Sequence, residues 1–228
     1  MISLTRRHFL WGAAAAPALA QTKLPLEEFQ PRSMMVAPET SIQRAKFPVI
    51  DVHTHVFGFP RRRMLPPEQI AQILGWMDEL NIETMVNLTS GAGEDLKRVI
   101  AELQEKHKGR FLAATEPTFT RIQEPNYPAW QADELKRAEQ AGARGLKVLK
   151  YLGLGLREQV TTGPLVKIDD PRFDPMWEVA GALRLPVFIH TSDPDAFFTP
   201  IDRFNERLEE LANHPDWSFH WNDFPPKA

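Results

Sequence analysis

The chain has 228 residues, of which 43% are hydrophobic and 25% charged, with a net charge of −3 and no cysteine. This is ordinary globular composition, long enough for one sizeable domain or for part of a larger one. It excludes disulfides, cysteine zinc sites and thiol nucleophiles, and it offers no basic footprint for nucleic acid.

Residues 1–20, MISLTRRHFLWGAAAAPALA, hold a basic segment ending in Arg6-Arg7, an apolar run from Phe9 to Leu19, and a small-x-small site at Ala18-Leu19-Ala20. That order is the pattern of a signal peptide. Thr5-Arg6-Arg7-His8-Phe9-Leu10 resembles the twin-arginine export motif, which implies a periplasmic protein whose mature chain starts near Gln21. The apolar run is too short and too rich in alanine to span a bilayer, so no membrane span is expected after its removal. Residues 21–46 are Pro-rich and polar without a period, and read as a linker or an arm laid over the domain of residues 47–228.

From Phe47 onward, apolar strands alternate with helical segments. Pro48 to His55 is the first strand. Pro66 to Leu80 is a helix with Ile70, Ile73, Leu74, Met77 and Leu80 on one stripe. Ile82 to Leu88 is the second strand, and Gly93 to His107 a helix turning Leu96, Val99, Ile100 and Leu103 inward. Arg110 to Thr115 is the third strand. The helix from Pro128 to Ala141 closes on Gly142. Arg144 to Leu149 is the fourth strand, Phe173 to Leu185 a helix, Pro186 to His190 the fifth strand, and Pro200 to Asn213 a last helix. Short apolar strands alternating with helices predict a parallel α/β sheet covered by helices. A doubly wound sheet and a (β/α)₈ barrel both fit. No glycine-rich fingerprint follows the first strand, so dinucleotide binding gains no support.

Parallel α/β folds carry their chemistry at the carboxyl ends of the strands. His53 and His55 end the first strand, Lys147 and Lys150 lie in and after the fourth, and His190 ends the fifth. Residues i and i+2 of a strand share a face, so His53 and His55 point one way and Thr54 the other. Lys147 and Lys150 have opposite parity and should not share a cavity. Neutral imidazoles are good zinc ligands. An isolated H-x-H is a weak signal; behind an apolar Val49-Ile50-Asp51, and with His190 four strands on, it reads as a metal site.

VIDVHTH, residues 49–55, and LPVFIHTSDP, residues 185–194, resemble the first and fifth strands of the amidohydrolase superfamily, within it the amidohydrolase-related metal-dependent hydrolases. The resemblance covers about residues 45–228. It implies a distorted (β/α)₈ barrel in which His53, His55 and His190 hold a divalent metal, zinc first and manganese or iron next. It also implies water-mediated hydrolysis of an amide or of an ester such as a lactone, in a small-molecule substrate. The metal would lower the pKa of its bound water and polarise the scissile carbonyl. GARGLKVLK, residues 142–150, resembles the strand whose carboxylated lysine bridges two metals in binuclear members, which makes Lys147 a further metal candidate. The alternative is that Lys147 binds an acidic group of the substrate. Arg61, Arg62 and Arg63 follow the first strand and are candidates for a substrate carboxylate or phosphate, or a solvated surface run. Decarboxylation, as in some branches of the superfamily, and a non-catalytic exported α/β binding domain are the rival readings.

The resemblance also implies an Asp at the end of an eighth strand, acting as metal ligand and general base. Five strands are legible here. Asp216 to Trp221, with His220, is a sixth-strand candidate that reads better as a loop between Pro215 and Phe224-Pro225-Pro226. A complete barrel takes about 250 residues. The expectation is a truncated, incomplete barrel of five or six units, without its catalytic Asp and impaired in activity. Its open sheet edges would be a route to self-association.

Overall fold

The structure, a computed structural model, describes residues 24–38, 40–56, 65–191 and 193–220. They form two compact units, one of residues 40–191 and one of 24–38 with 193–220. Among the described residues no helix is long and apolar enough to cross a membrane.

The larger unit is an α/β fold. Its strands are β1 (Val49–Thr54), β2 (Ile82–Asn87), β3 (Phe111–Thr115), β4 (Gly145–Val148) and β5 (Val187–Ile189). They lie in one curled sheet in the order β1-β2-β3-β4-β5, every neighbouring pair parallel. Among the described residues the order never reverses, so these five strands show no switch point of the doubly wound kind. All five strands lie within a residue or two of the ranges that apolar runs predict.

Register separates the two faces. In parallel pairing, opposed residues share a face; Met85 lies opposite Phe111 and Leu146 opposite Val187. The Met85 face meets the helices. Phe111 and Ala113 pack with Ile70 and Met77 of α1 (Pro67–Leu80) and with Leu96 and Val99 of α2 (Gly93–Val99). Leu146 and Val148 pack with Tyr127 and Leu135 of α3 (Tyr127–Ala141), with Phe173, and with Met176 and Ala180 of α5 (Asp174–Ala182). The opposite face carries its own small cluster, Val86, Leu88 and Ala114 with Leu112 and Phe188. Gly145 belongs to this face: a Cβ there would meet the Phe188 ring at 3.0 Å and Ala114 at 3.5 Å. Its missing side chain lets the ring lie across β4.

Three helical predictions need correction. The helix predicted from Gly93 to His107 changes its hydrogen-bond spacing midway: α2 runs into a wider, π-helical segment, Ile100–Glu105. Within it the Gln104 amide bridges two elements, its Nε2 donating to Gly142 O and its Oε1 accepting from Ala113 N, both at 2.9 Å. The wider turn coincides with that bridge. Leu80, predicted on the buried stripe of α1, is exposed, as is Trp76. The helix predicted from Pro200 to Asn213 exists only as α6, Leu208–Asn213. Asp202 Oδ1 takes Phe204 N–H at 2.9 Å and Asn205 Oδ1 takes Arg207 N–H at 2.8 Å, which are local turns competing with a helix. The closure at Gly142 is as predicted: its φ is 116°, and the next residue's N–H returns to Ala138 O.

Between β4 and α5 lies one further turn, α4 (Tyr151–Leu154), broken by non-helical backbone at Leu152 and Gly153. In the smaller unit the arm pairs with the segment before α6. Gln30 N–H donates to Arg203 O at 2.9 Å, Arg32 N–H to Phe204 O at 3.0 Å, and the Arg32 guanidinium lies 4.4 Å over the Phe204 ring. Residues 215–217 form a short 3₁₀ turn rather than a strand.

One core polar atom among the described residues has no partner, the Tyr127 hydroxyl, and burial holds its pKa far above the ordinary value of 10. An unmade hydrogen bond in a core is a cost, so Tyr127→Phe is expected to leave stability unchanged or raise it by up to about 1 kcal/mol. Denaturant unfolding measures this; a clear loss would show that the hydroxyl has a partner.

Candidate functional site

The site is built on the end of β1. Two register slips divide this strand: Val49 pairs with Ile82, Ile50 with Thr84 and Asp51 with Met85, and Thr54 then pairs with Asn87. Asn87 belongs to the Met85 face, so Thr54 turns to the helices and His53 and His55 turn to the other face. The end is fastened from both sides. Thr54 Oγ1 donates to Val86 O at 2.9 Å, Leu88 N–H donates to Thr54 O at 2.9 Å, and Val56 N–H donates to Asn87 Oδ1 at 3.0 Å. Asn87 is itself buried and donates to Ser90 Oγ at 3.0 Å. His53 N–H donates to Asp51 Oδ1 at 3.1 Å. The two imidazoles sit edge to face, with centroids 5.3 Å apart and planes 64° apart.

Lys147 lies opposite Phe188 in the β4–β5 ladder, and so on the same face as the histidines. His190, two residues beyond Phe188 and tied by its N–H to Val148 O at 3.0 Å, follows β5 at that face. Lys147 and His190 each come within electrostatic reach of both His53 and His55. Partial burial first, then the positive charges of Lys147 and His190, lower the His53 pKa, against a small opposing effect of Asp51. Burial first, then His53, Lys147 and His190, lower that of His55. Lys147 is lowered by burial, with Glu116 opposing.

The signs translate into a pH effect. Folded values below the ordinary 6.5 mean that the unfolded chain takes up protons first as pH falls. Above that pH neither ring contributes; below it, acid weakens the fold. Proton NMR of the two imidazoles is expected to give midpoints under 6.5, and a midpoint above 6.5 for either would reverse the sign.

For a divalent ion the donor chemistry fits, because imidazoles held neutral are ligands. The donor count does not: among the described residues no group of three or more His, Asp or Glu gathers to hold an ion. Arg61, Arg62 and Arg63 lie outside the described residues. Lys150 lies past the end of β4, as the residue directly before α4.

Two polar positions are more deeply built in than their sequence signal suggests. Glu116, just past β3, is buried; its Oε1 accepts from Gly91 N–H at 2.9 Å and its own N–H donates to Gly91 O at 3.0 Å. Asn87 ends β2 in the run Asn87-Leu88-Thr89-Ser90, three of whose members are polar and all of which are buried. A polar run directly after an apolar strand is the signal that was available.

No family model matches the chain, and no curated protein matches it. Among solved structures it is similar to a crystal structure of a Xaa-Pro dipeptidase with methionine bound in the active site. The TM-score is 0.35 and the identity 15%, over 63% of this chain and 43% of that one. The chain thus spans less than half the length of the structure it matches, and likeness at that level assigns no residue a role.

Proposed function

We propose that the chain is a metal-dependent hydrolase of amidohydrolase type, acting on an amide or ester bond of a small molecule. In this reading His53 and His55 take up a divalent ion, zinc first, and His190 would complete the donors only by drawing in toward them, since among the described residues the three do not gather to hold an ion. One observation carries it: three histidines and a buried lysine from β1, β4 and β5 share one face at the carboxyl ends of a parallel sheet, where such folds hold their chemistry. The unreversed strand order supports a (β/α)₈-type arrangement. Export by a twin-arginine signal in residues 1–20 and association through the outer edges of β1 and β5 belong to the same proposal. Ile50 and Val52 of β1 are more than half exposed, the kind of apolar edge that recruits another strand.

The test is metal analysis of the purified full chain, followed by hydrolysis of aryl esters and amides with and without a chelator. Zinc retained through dialysis, with chelator-sensitive turnover, is expected. A chain that holds no metal and turns over nothing overturns the reading.

A further inference from the structure

Lys147 is the only buried cation among the described residues, with 1% of its surface exposed. Burying an ammonium is expensive unless an anion or several acceptors meet it. Here the acid that acts on Lys147 is Glu116, across space, while His53 and His55 feel the lysine as a positive charge. The acid within its electrostatic reach, Glu116, is held by the Gly91 N–H. Its neighbours on the same face are small or apolar: Gly145 on its own strand, Phe188 opposite it, and Ala114 opposite Gly145. Beyond them lie Val86, Leu88 and Leu112. The face therefore combines one buried lysine, three imidazoles and an apolar floor.

We propose that Lys147 anchors a carboxylate of the substrate, so that this site takes a small monocarboxylate whose carbon body lies over Phe188 and Leu112. The inference rests on the hydrolase reading for what happens to the substrate, but the anion site stands on Lys147 itself. A single point-charge donor suits one carboxylate; a phosphate dianion calls for more donors than this face supplies.

The experiment uses the full chain, loaded with zinc, and its Lys147→Met variant, with benzoate and its uncharged isostere benzamide as probes in calorimetric titration. Benzoate is expected to bind the unaltered chain at least about tenfold more tightly than benzamide, the worth of one hydrogen bond to a charged group. In Lys147→Met that preference is expected to vanish. Methionine replaces a buried, desolvated lysine by an apolar chain of similar length, so the variant is expected to melt no lower than its parent. Should it fail to fold, the unaltered chain alone still decides, because benzoate and not benzamide must raise its melting temperature. Equal benzoate affinity in chain and variant overturns the proposal. So does phosphate displacing benzoate at lower concentration than acetate does, or a carbamate mass on Lys147. A chain that holds zinc but treats benzoate and benzamide alike sinks the anion site and spares the hydrolase reading. A chain that holds no zinc yet loses its benzoate preference with Lys147→Met supports the anion site and sinks the hydrolase reading.

Discussion

Zinc bound to the full chain is expected to be lost in the double variant His53→Ala/His55→Ala. Both rings leave the same strand end on the same face, 5.3 Å apart, and burial with the nearby positive charges lowers both pKa values, which favours the neutral, ligating form. Removing outer-shell partners of a metal ligand already costs about 10–100-fold in affinity; removing two ligands costs more, so dialysed protein should carry no measurable zinc. The variant is not expected to unfold, because both side chains are exposed and the strand end is fastened by Thr54 and Asn87. His214→Ala is the control. That imidazole stacks on Trp217 in the smaller unit, with centroids 4.1 Å apart, and has no part in the proposed site. Retention of zinc by the double variant, with circular dichroism unchanged, would show that any metal sits elsewhere.

The second large effect is on stability. Phe173 is fully buried where α3 and α5 meet β4. Its ring makes edge contacts with Phe119, Tyr127 and Trp177 at centroid distances of 5.8, 6.3 and 6.3 Å. Phe173→Ala is expected to cost about 3–5 kcal/mol, from lost transfer energy and the cavity left behind. Whole domains are stable by only about 5–15 kcal/mol, so melting should fall by roughly 10 °C or more. The loss should also reach the site, because Leu146 and Val148, which flank Lys147 in β4, pack in the same cluster. A shift of only a degree or two would mean that the surrounding rings close over the gap.

The five strands were legible because each is an apolar run bounded by turn residues, and burial behind helices is what such a run requires. The face of His53 and His55 was legible from period two alone. What was not legible depends on side chains acting on backbone. Pro200 to Asn213 has the apolar spacing of a helix through Ile201, Phe204, Leu208 and Leu211. Asp202 and Asn205 nonetheless take backbone N–H groups that a helix would need. Gln104 looks like an exposed helical residue until its amide is seen spanning β3 and the end of α3. Nothing in the sequence shows that Gly91 comes back to meet Glu116, whose Oε1 takes the Gly91 N–H.

The two register slips in β1 have a meaning for anyone searching other sequences for this site. The first gives β2 an extra residue and the second gives it back to β1, so they cancel before the histidines are reached. Counting by twos from Val49 therefore lands on the right face at His53 and His55, although the pairing in between is displaced. A homologue that lost one slip and kept the other would spell the same His-x-His and aim it at the helices. In this strand the motif and the site are separable by one inserted or deleted residue, so the spacing from the start of the strand to the first histidine carries as much information as the histidines themselves.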